Sequence, residues 1–227
     1  MRNIPICLLA LVWGPALAAG SVIVDLVDDF GHDSGWSVVL PDNIHADVVV
    51  DSITGVYVRL EVFKVLDDSL GTSLAPHSVE FRQRLDDAHT VTTIQITDET
   101  VVNAGSDTWT EYCLTIAGTS AAFDKAATAA SGFSVEPFTA ATWGAAPVGW
   151  AATFSGMLVL SGGSVAPGEV FSPGASQGRL YIQASLAGDS PAQFELRQWR
   201  VPEPATVGLL MVGAAALLRH ARRNLGV

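Results

Sequence analysis

The chain has 227 residues, with 23 Asp and Glu against 12 Lys and Arg, for a formal charge of −11. No basic footprint for DNA or RNA is present, so nucleic acid is not among the expected partners. Hydrophobic residues make up 49% and charged residues 15%, too apolar a mixture for a disordered protein.

Residues 1–19 read as a secretory signal peptide. Arg2 supplies the positive start, residues 6–12 a short apolar core, and Pro15 a helix break. Ala16, Leu17 and Ala18 then form a small-x-small pattern, placing cleavage just after Ala18 or Ala19. A first core helix is the competing reading. Cys7 lies inside the apolar core, which does not suggest lipid attachment.

Residues 20–200 hold 22 acidic and 8 basic side chains, an excess that keeps an exported domain soluble. Their hydrophobic period is two. In residues 56–65, Val56, Val58, Leu60, Val62 and Lys64 alternate with Tyr57, Arg59, Glu61, Phe63 and Val65, a half-buried strand. Further strands are predicted at 21–26, 46–50, 78–85, 90–97, 108–116, 151–160, 178–186 and 193–200, between turn residues. Eight to ten strands without a convincing amphipathic helix predict an all-β, antiparallel two-sheet sandwich of jelly-roll-like form. Residues 121–130 read equally as a short helix or a small-residue loop. Residues 162–178, with Pro167, Pro173 and five glycines, read as a loop.

Candidate chemistry is sparse. Asp25, Asp28, Asp29 and Asp33 surround Gly31, and oxygen ligands converging there would suit calcium. Their spacing is not that of an EF-hand, and solvated loop carboxylates explain them as well. No other cofactor is suggested. His32, His45, His77 and His89 never fall at i, i+2 or i, i+4, so zinc would need ligands gathered across strands. Cys113 alone outlasts signal cleavage and reads as a small buried hydrophobe. Trp109, Trp143, Trp150 and Trp199, with Tyr57 and Tyr181, would make either core packing or a sugar-binding platform. No Gly-x-Ser-x-Gly elbow, phosphate loop or His-Glu-x-x-His is present, and nothing points to an enzyme.

The tail has three parts. Pro202-Glu203-Pro204 is held extended, because proline fixes its own φ and restricts the residue before it. Residues 204–218 carry no charge and would span roughly 22 Å as a helix, against a hydrocarbon core of about 30 Å. Arg219, Arg222 and Arg223 follow, on the side where basic residues stay if the preceding domain is exported. A single transmembrane helix after the ectodomain is therefore expected.

This ordered set resembles the PEP-CTERM sorting signal of exported bacterial proteins: a Pro-Glu-Pro motif, a hydrophobic helix and an arginine-rich end. The resemblance covers residues 201–227. It implies processing by an exosortase, a Gram-negative host that makes extracellular polysaccharide, and biofilm or surface localisation. The protein would be anchored briefly in the inner membrane and then released or attached at the cell surface. An ordinary single-pass anchor is the alternative. Residues 107–112, Asp-Thr-Trp-Thr-Glu-Tyr, and the glycine-rich run 161–178 are also similar to segments of PEP-CTERM ectodomains. The expected function is a non-enzymatic surface or matrix protein. The second expectation is a carbohydrate-binding module for extracellular polysaccharide, with calcium as an optional ligand, and an exported hydrolase comes last.

Overall fold

The computed structural model describes residues 21–40, 45–66, 77–174, 178–186 and 190–202. Their elements, in chain order, begin with β1 (Val22–Val27), β2 (Asp33–Leu40), β3 (His45–Ile53), β4 (Tyr57–Leu66) and β5 (His77–Gln83). Next come β6 (Thr93–Asn103), β7 (Trp109–Ala117), β8 (Ala121–Asp124), α1 (Lys125–Ala130), β9 (Ala140–Trp143) and β10 (Phe154–Ser155). The last four are β11 (Met157–Val165), β12 (Val170–Phe171), β13 (Leu180–Ala184) and β14 (Gln193–Pro202).

They form two sheets with almost no helix. The first has the order β1-β2-β5-β14-β7-β11-β9, and the second β10-β8-β13-β6-β4-β3 with β12 added on β6. The sheets share one core. Trp36, Val38, Phe81, Phe194 and Leu196 come from the first, and Val58, Leu60, Ile94, Ile96 and Ile182 from the second. Each large aliphatic side chain so buried contributes on the order of 1.5–3 kcal/mol, which makes the inward rows the main source of stability.

Alternation predicts β4 well. Val58, Leu60, Val62, Lys64 and Leu66 are all buried, while Val56 lies before the strand and is exposed. Lys64 thus keeps the inward register despite its charge.

Five expectations are corrected. The sandwich is not wholly antiparallel, because β4 and β6 pair in parallel from Tyr57–Thr93 to Leu66–Asn103. The intervening β5 belongs to the other sheet, so β4 and β6 are joined by a crossover rather than a hairpin, which a parallel pair requires. The strand count is fourteen among the described residues rather than eight to ten. The strand expected at 151–160 is a turn followed by β10 and the first residues of β11. The loop expected at 162–178 contains the end of β11 and all of β12. There Gly163 reports a close backbone approach, since a Cβ on it would lie 2.2 Å from the Pro137 carbonyl oxygen. Residues 121–130 are neither alternative alone, but the short strand β8 followed by the short helix α1.

Strand β2 was not expected. All of its residues after Asp33 are buried, so it shows no alternation. Asp33-Ser34-Gly35 imitates a turn. Gly35 is needed at φ +80°, where a Cβ would meet Thr90 Oγ1 at 2.5 Å.

Candidate functional site

The four aspartates near the amino-terminal hairpin do not converge on one point. Asp28 folds over its own turn, with Oδ1 accepting from the Phe30 and His32 backbone N–H groups at 3.0 and 2.9 Å. Its Oδ2 lies 2.8 Å from His32 Nδ1. Desolvation pushes the Asp28 carboxyl up, but the bonds from His32 and Phe30 outweigh it and hold the group below the usual value. Asp33 and Asp25 instead flank Arg84: its guanidinium bonds Asp33 Oδ2, and its Nε lies 3.3 Å from Asp25 Oδ1. Asp29 is exposed. Among the described residues, no group of three His, Cys, Asp or Glu side chains could hold a metal ion.

The aromatic residues also separate. Trp109 is fully buried and stacks near Tyr112, with ring centres 6.2 Å apart. Trp143 packs on Phe123. Trp150 lies edge-on to Phe154 and donates from Nε1 to the Thr119 carbonyl at 3.2 Å. Trp199 points outward from β14 and is half-buried. No ring contact among the described residues joins two of these tryptophans. The two tyrosines differ. Tyr57 and Tyr181 line one cavity of about 250 Å³, together with Thr93, Gln95, Gln183 and Asp124. Sequence reading missed those four, although Gln95 and Gln183 occupy the polar positions of alternating strands.

Strand β14 carries the remaining candidate. Phe194, Leu196, Gln198 and Arg200 point inward, and all are buried. Phe194 stacks on Phe81 at 4.8 Å, the Tyr112 hydroxyl donates to Gln198 Oε1, and the Arg200 guanidinium sits 5.5 Å from the Trp109 ring centre. The strand is an interior one, paired with β5 over residues 193–198 and with β7 over residues 195–202. Its last pairing sets Pro202 against Trp109, after an irregularity beyond Val201. Proline offers no backbone N–H, so the ladder has reason to stop there.

A family model of the PEP-CTERM protein-sorting motif matches residues 200–223. The chain carries a PEP-CTERM sorting motif. No curated protein and no solved structure matches it. The motif marks the protein for sorting through a carboxy-terminal signal, with an exosortase as its processing partner. Its match begins at Arg200, inside the folded strand, so no linker separates the domain from the PEP-CTERM segment.

The rest of the expected signals lie outside the described residues. These are Ala16, Ala18 and Ala19 of the leader, and Glu203, Pro204, the apolar run 204–218, Arg219, Arg222 and Arg223 of the PEP-CTERM tail. Among the described residues no helix is long and apolar enough to cross a membrane. Cys113 is buried opposite Trp199 and Val159 on the neighbouring strands. Burial, with the Glu111 charge nearby, pushes its thiol up to about 11. A thiol so raised is a poor nucleophile near neutral pH.

Proposed function

We propose that this is an exported, non-enzymatic surface or extracellular-matrix protein, sorted through its PEP-CTERM tail by an exosortase. The observation that carries the reading is the motif match at residues 200–223, continuous with an interior strand of the domain. In this reading the leader ends at Ala18 or Ala19 and the chain is exported. The apolar run 204–218 enters the inner membrane, and Arg219, Arg222 and Arg223 keep the end on the cytoplasmic side. Pro202 and Pro204 hold the segment extended for the enzyme, and Glu203 supplies a charged point of recognition. Removal of the apolar tail then frees the β domain for the surface or the medium.

Intact mass of the protein recovered from the host surface and medium tests this. A start near Ala19 and an end near Pro202–Pro204 is expected, and a species ending at Val227 would make the tail a permanent anchor. Deleting residues 203–227 should leave the domain exported but wrongly sorted, and unchanged surface display would sink the idea.

A second reading concerns what the domain does once sorted. It is a carbohydrate-binding module, favoured by the cavity that gathers two tyrosines, two amide side chains and a threonine on the outside of one sheet.

A further inference from the structure

The outward positions of β13, β6 and β4 stand in two cross-strand rows. Tyr181 pairs with Gln95 and Gln95 with Arg59, while Gln183 pairs with Thr93 and Thr93 with Tyr57. Their inward neighbours Leu180, Ile182, Ile94, Ile96 and Val58 are buried, so the rigid core fixes the spacing of the rows. Bonds within the rows orient them. Thr93 Oγ1 donates to Gln183 Oε1 at 3.1 Å, Arg59 Nε donates to Gln95 Oε1 at 3.5 Å, and the Arg59 guanidinium covers the Tyr57 ring at 5.4 Å. Arg59 is also paired with Asp51 at 3.3 Å, so the row carries little net charge.

Helix α1 lies along this face and is pinned to β13. Thr128 Oγ1 accepts the Tyr181 backbone N–H at 3.0 Å, and Ser131 Oγ accepts that of Arg179 at 2.8 Å. Ala127 and Ala130 of α1 line the space beside it. A second depression of about 660 Å³ is lined by Ala127, Ala130, Ser131, Gly178, Arg179 and Tyr181. Tyr181 and Ala127 border both depressions, which so lie side by side as one shallow groove along this face. Several hydrogen-bonding groups in it are unspent. Among the described residues the Gln95 amide N–H₂ and the hydroxyls of Tyr57 and Tyr181 make no hydrogen bond.

We propose that this groove binds a neutral polysaccharide strand, with Tyr181 between two sugar positions. The inference rests on the second reading above and assigns its site and ligand class. Tyrosine offers an apolar face to sugar C–H groups and a hydroxyl to their oxygens. Amides both donate and accept, which matches sugar hydroxyls better than it matches ions. The acidic excess of the domain and Asp124 in the lining disfavour acidic glycans, and of the two arginines at the groove, Arg59 and Arg179, the first is already paired with Asp51. Two adjacent depressions suit a chain of sugars rather than one.

The test uses the protein purified from the host, a glycan array of neutral and acidic oligosaccharides, and calorimetric titration of the best binder. Binding should be confined to neutral oligosaccharides of two or more residues. Tyr181→Ala should weaken it about tenfold. Tyr181→Phe, which keeps the ring, should stay within a few-fold of the parent, and Arg197→Ala on the opposite sheet should bind unchanged. Neutral binding untouched by Tyr181→Ala would overturn the groove while leaving the second reading standing. Binding only to acidic glycans would overturn the ligand class, and no binding at all would remove both readings. A dimer in sedimentation that shields Tyr181 would assign the groove to a second copy of the chain instead.

Discussion

The two sheets share a core but present different faces to solvent. On the first sheet the outward rows of β5 and β14 satisfy themselves. Glu195 accepts from Arg197 Nε at 2.8 Å and from Ser78 Oγ at 2.9 Å; Glu80 accepts from Arg82 at 2.7 Å and also from the Gln193 amide. Glu195 and Glu80 stand directly opposite each other, and each is neutralised by an arginine on its own strand. On the second sheet the outward rows leave the Gln95 amide N–H₂ and the Tyr57 and Tyr181 hydroxyls without a hydrogen bond, beside a groove. A face whose polar groups are spent on one another is built for solubility, while one with unspent capacity is free to meet a ligand.

The sharpest test of that contrast starts beneath the charged face. Phe194 stacks on Phe81 and meets Trp36 edge-on at 5.8 Å. Phe194→Ala should therefore destabilise the protein by about 3–5 kcal/mol in denaturant titration. A loss below about 1 kcal/mol would mean that the ion pairs, rather than the core, hold β14 in place.

A second prediction concerns the part of the same face closed by Trp199 and Val159. With its thiol at about 11, Cys113 should react with a disulfide reagent at pH 8 roughly 100-fold more slowly in the folded protein than after unfolding. Equal rates would show this part of the face to be open.

A smaller effect comes from acid. The Glu195 carboxyl is held below its ordinary value of 4.5 by the bonds from Arg197 and Ser78. For Asp33, burial pushes upward from 3.8, but the Gly35 N–H and Arg84 outweigh it. A carboxyl lowered by folding adds stability that is fully present above its unfolded value and is lost as pH falls through the folded one. The denaturation midpoint should thus be level above about pH 5 and decline below 4.5, and Arg84→Ala should flatten part of that decline. The smallest effect is Arg197→Ala at neutral pH. It should cost about 0.2–1 kcal/mol and less in high salt, checked by repeating the titration at two salt concentrations.

The sequence made much of this contrast visible, by way of period two. Alternation located β4, β5, β7 and β14, and in β4 it put Val58, Leu60, Val62 and Lys64 inward. It failed at β2, where burial on both faces removes the alternation and Gly35 imitates a turn. It could not show that β4 and β6 run parallel, because no residue pattern records which sheet the intervening strand joins. Tyr57 and Tyr181 were recognisable as ring bearers. Their meeting with Gln95, Gln183 and Thr93 depends on register across three strands far apart in the chain. Outward polar residues between buried isoleucines, such as Gln95 between Ile94 and Ile96, were the available signal. The tail was the most legible part, since a sorting enzyme reads local sequence and no tertiary contact is needed to encode it.

The continuity of β14 with the sorting motif has a mechanical side. Tension along the tail would enter the domain along the axis of β14, whose hydrogen bonds to β5 and β7 run across that axis. Such bonds are loaded together in shear rather than opened one by one from an end. A domain held through this strand would therefore resist unfolding by a pull on its tail more than one held through an edge strand.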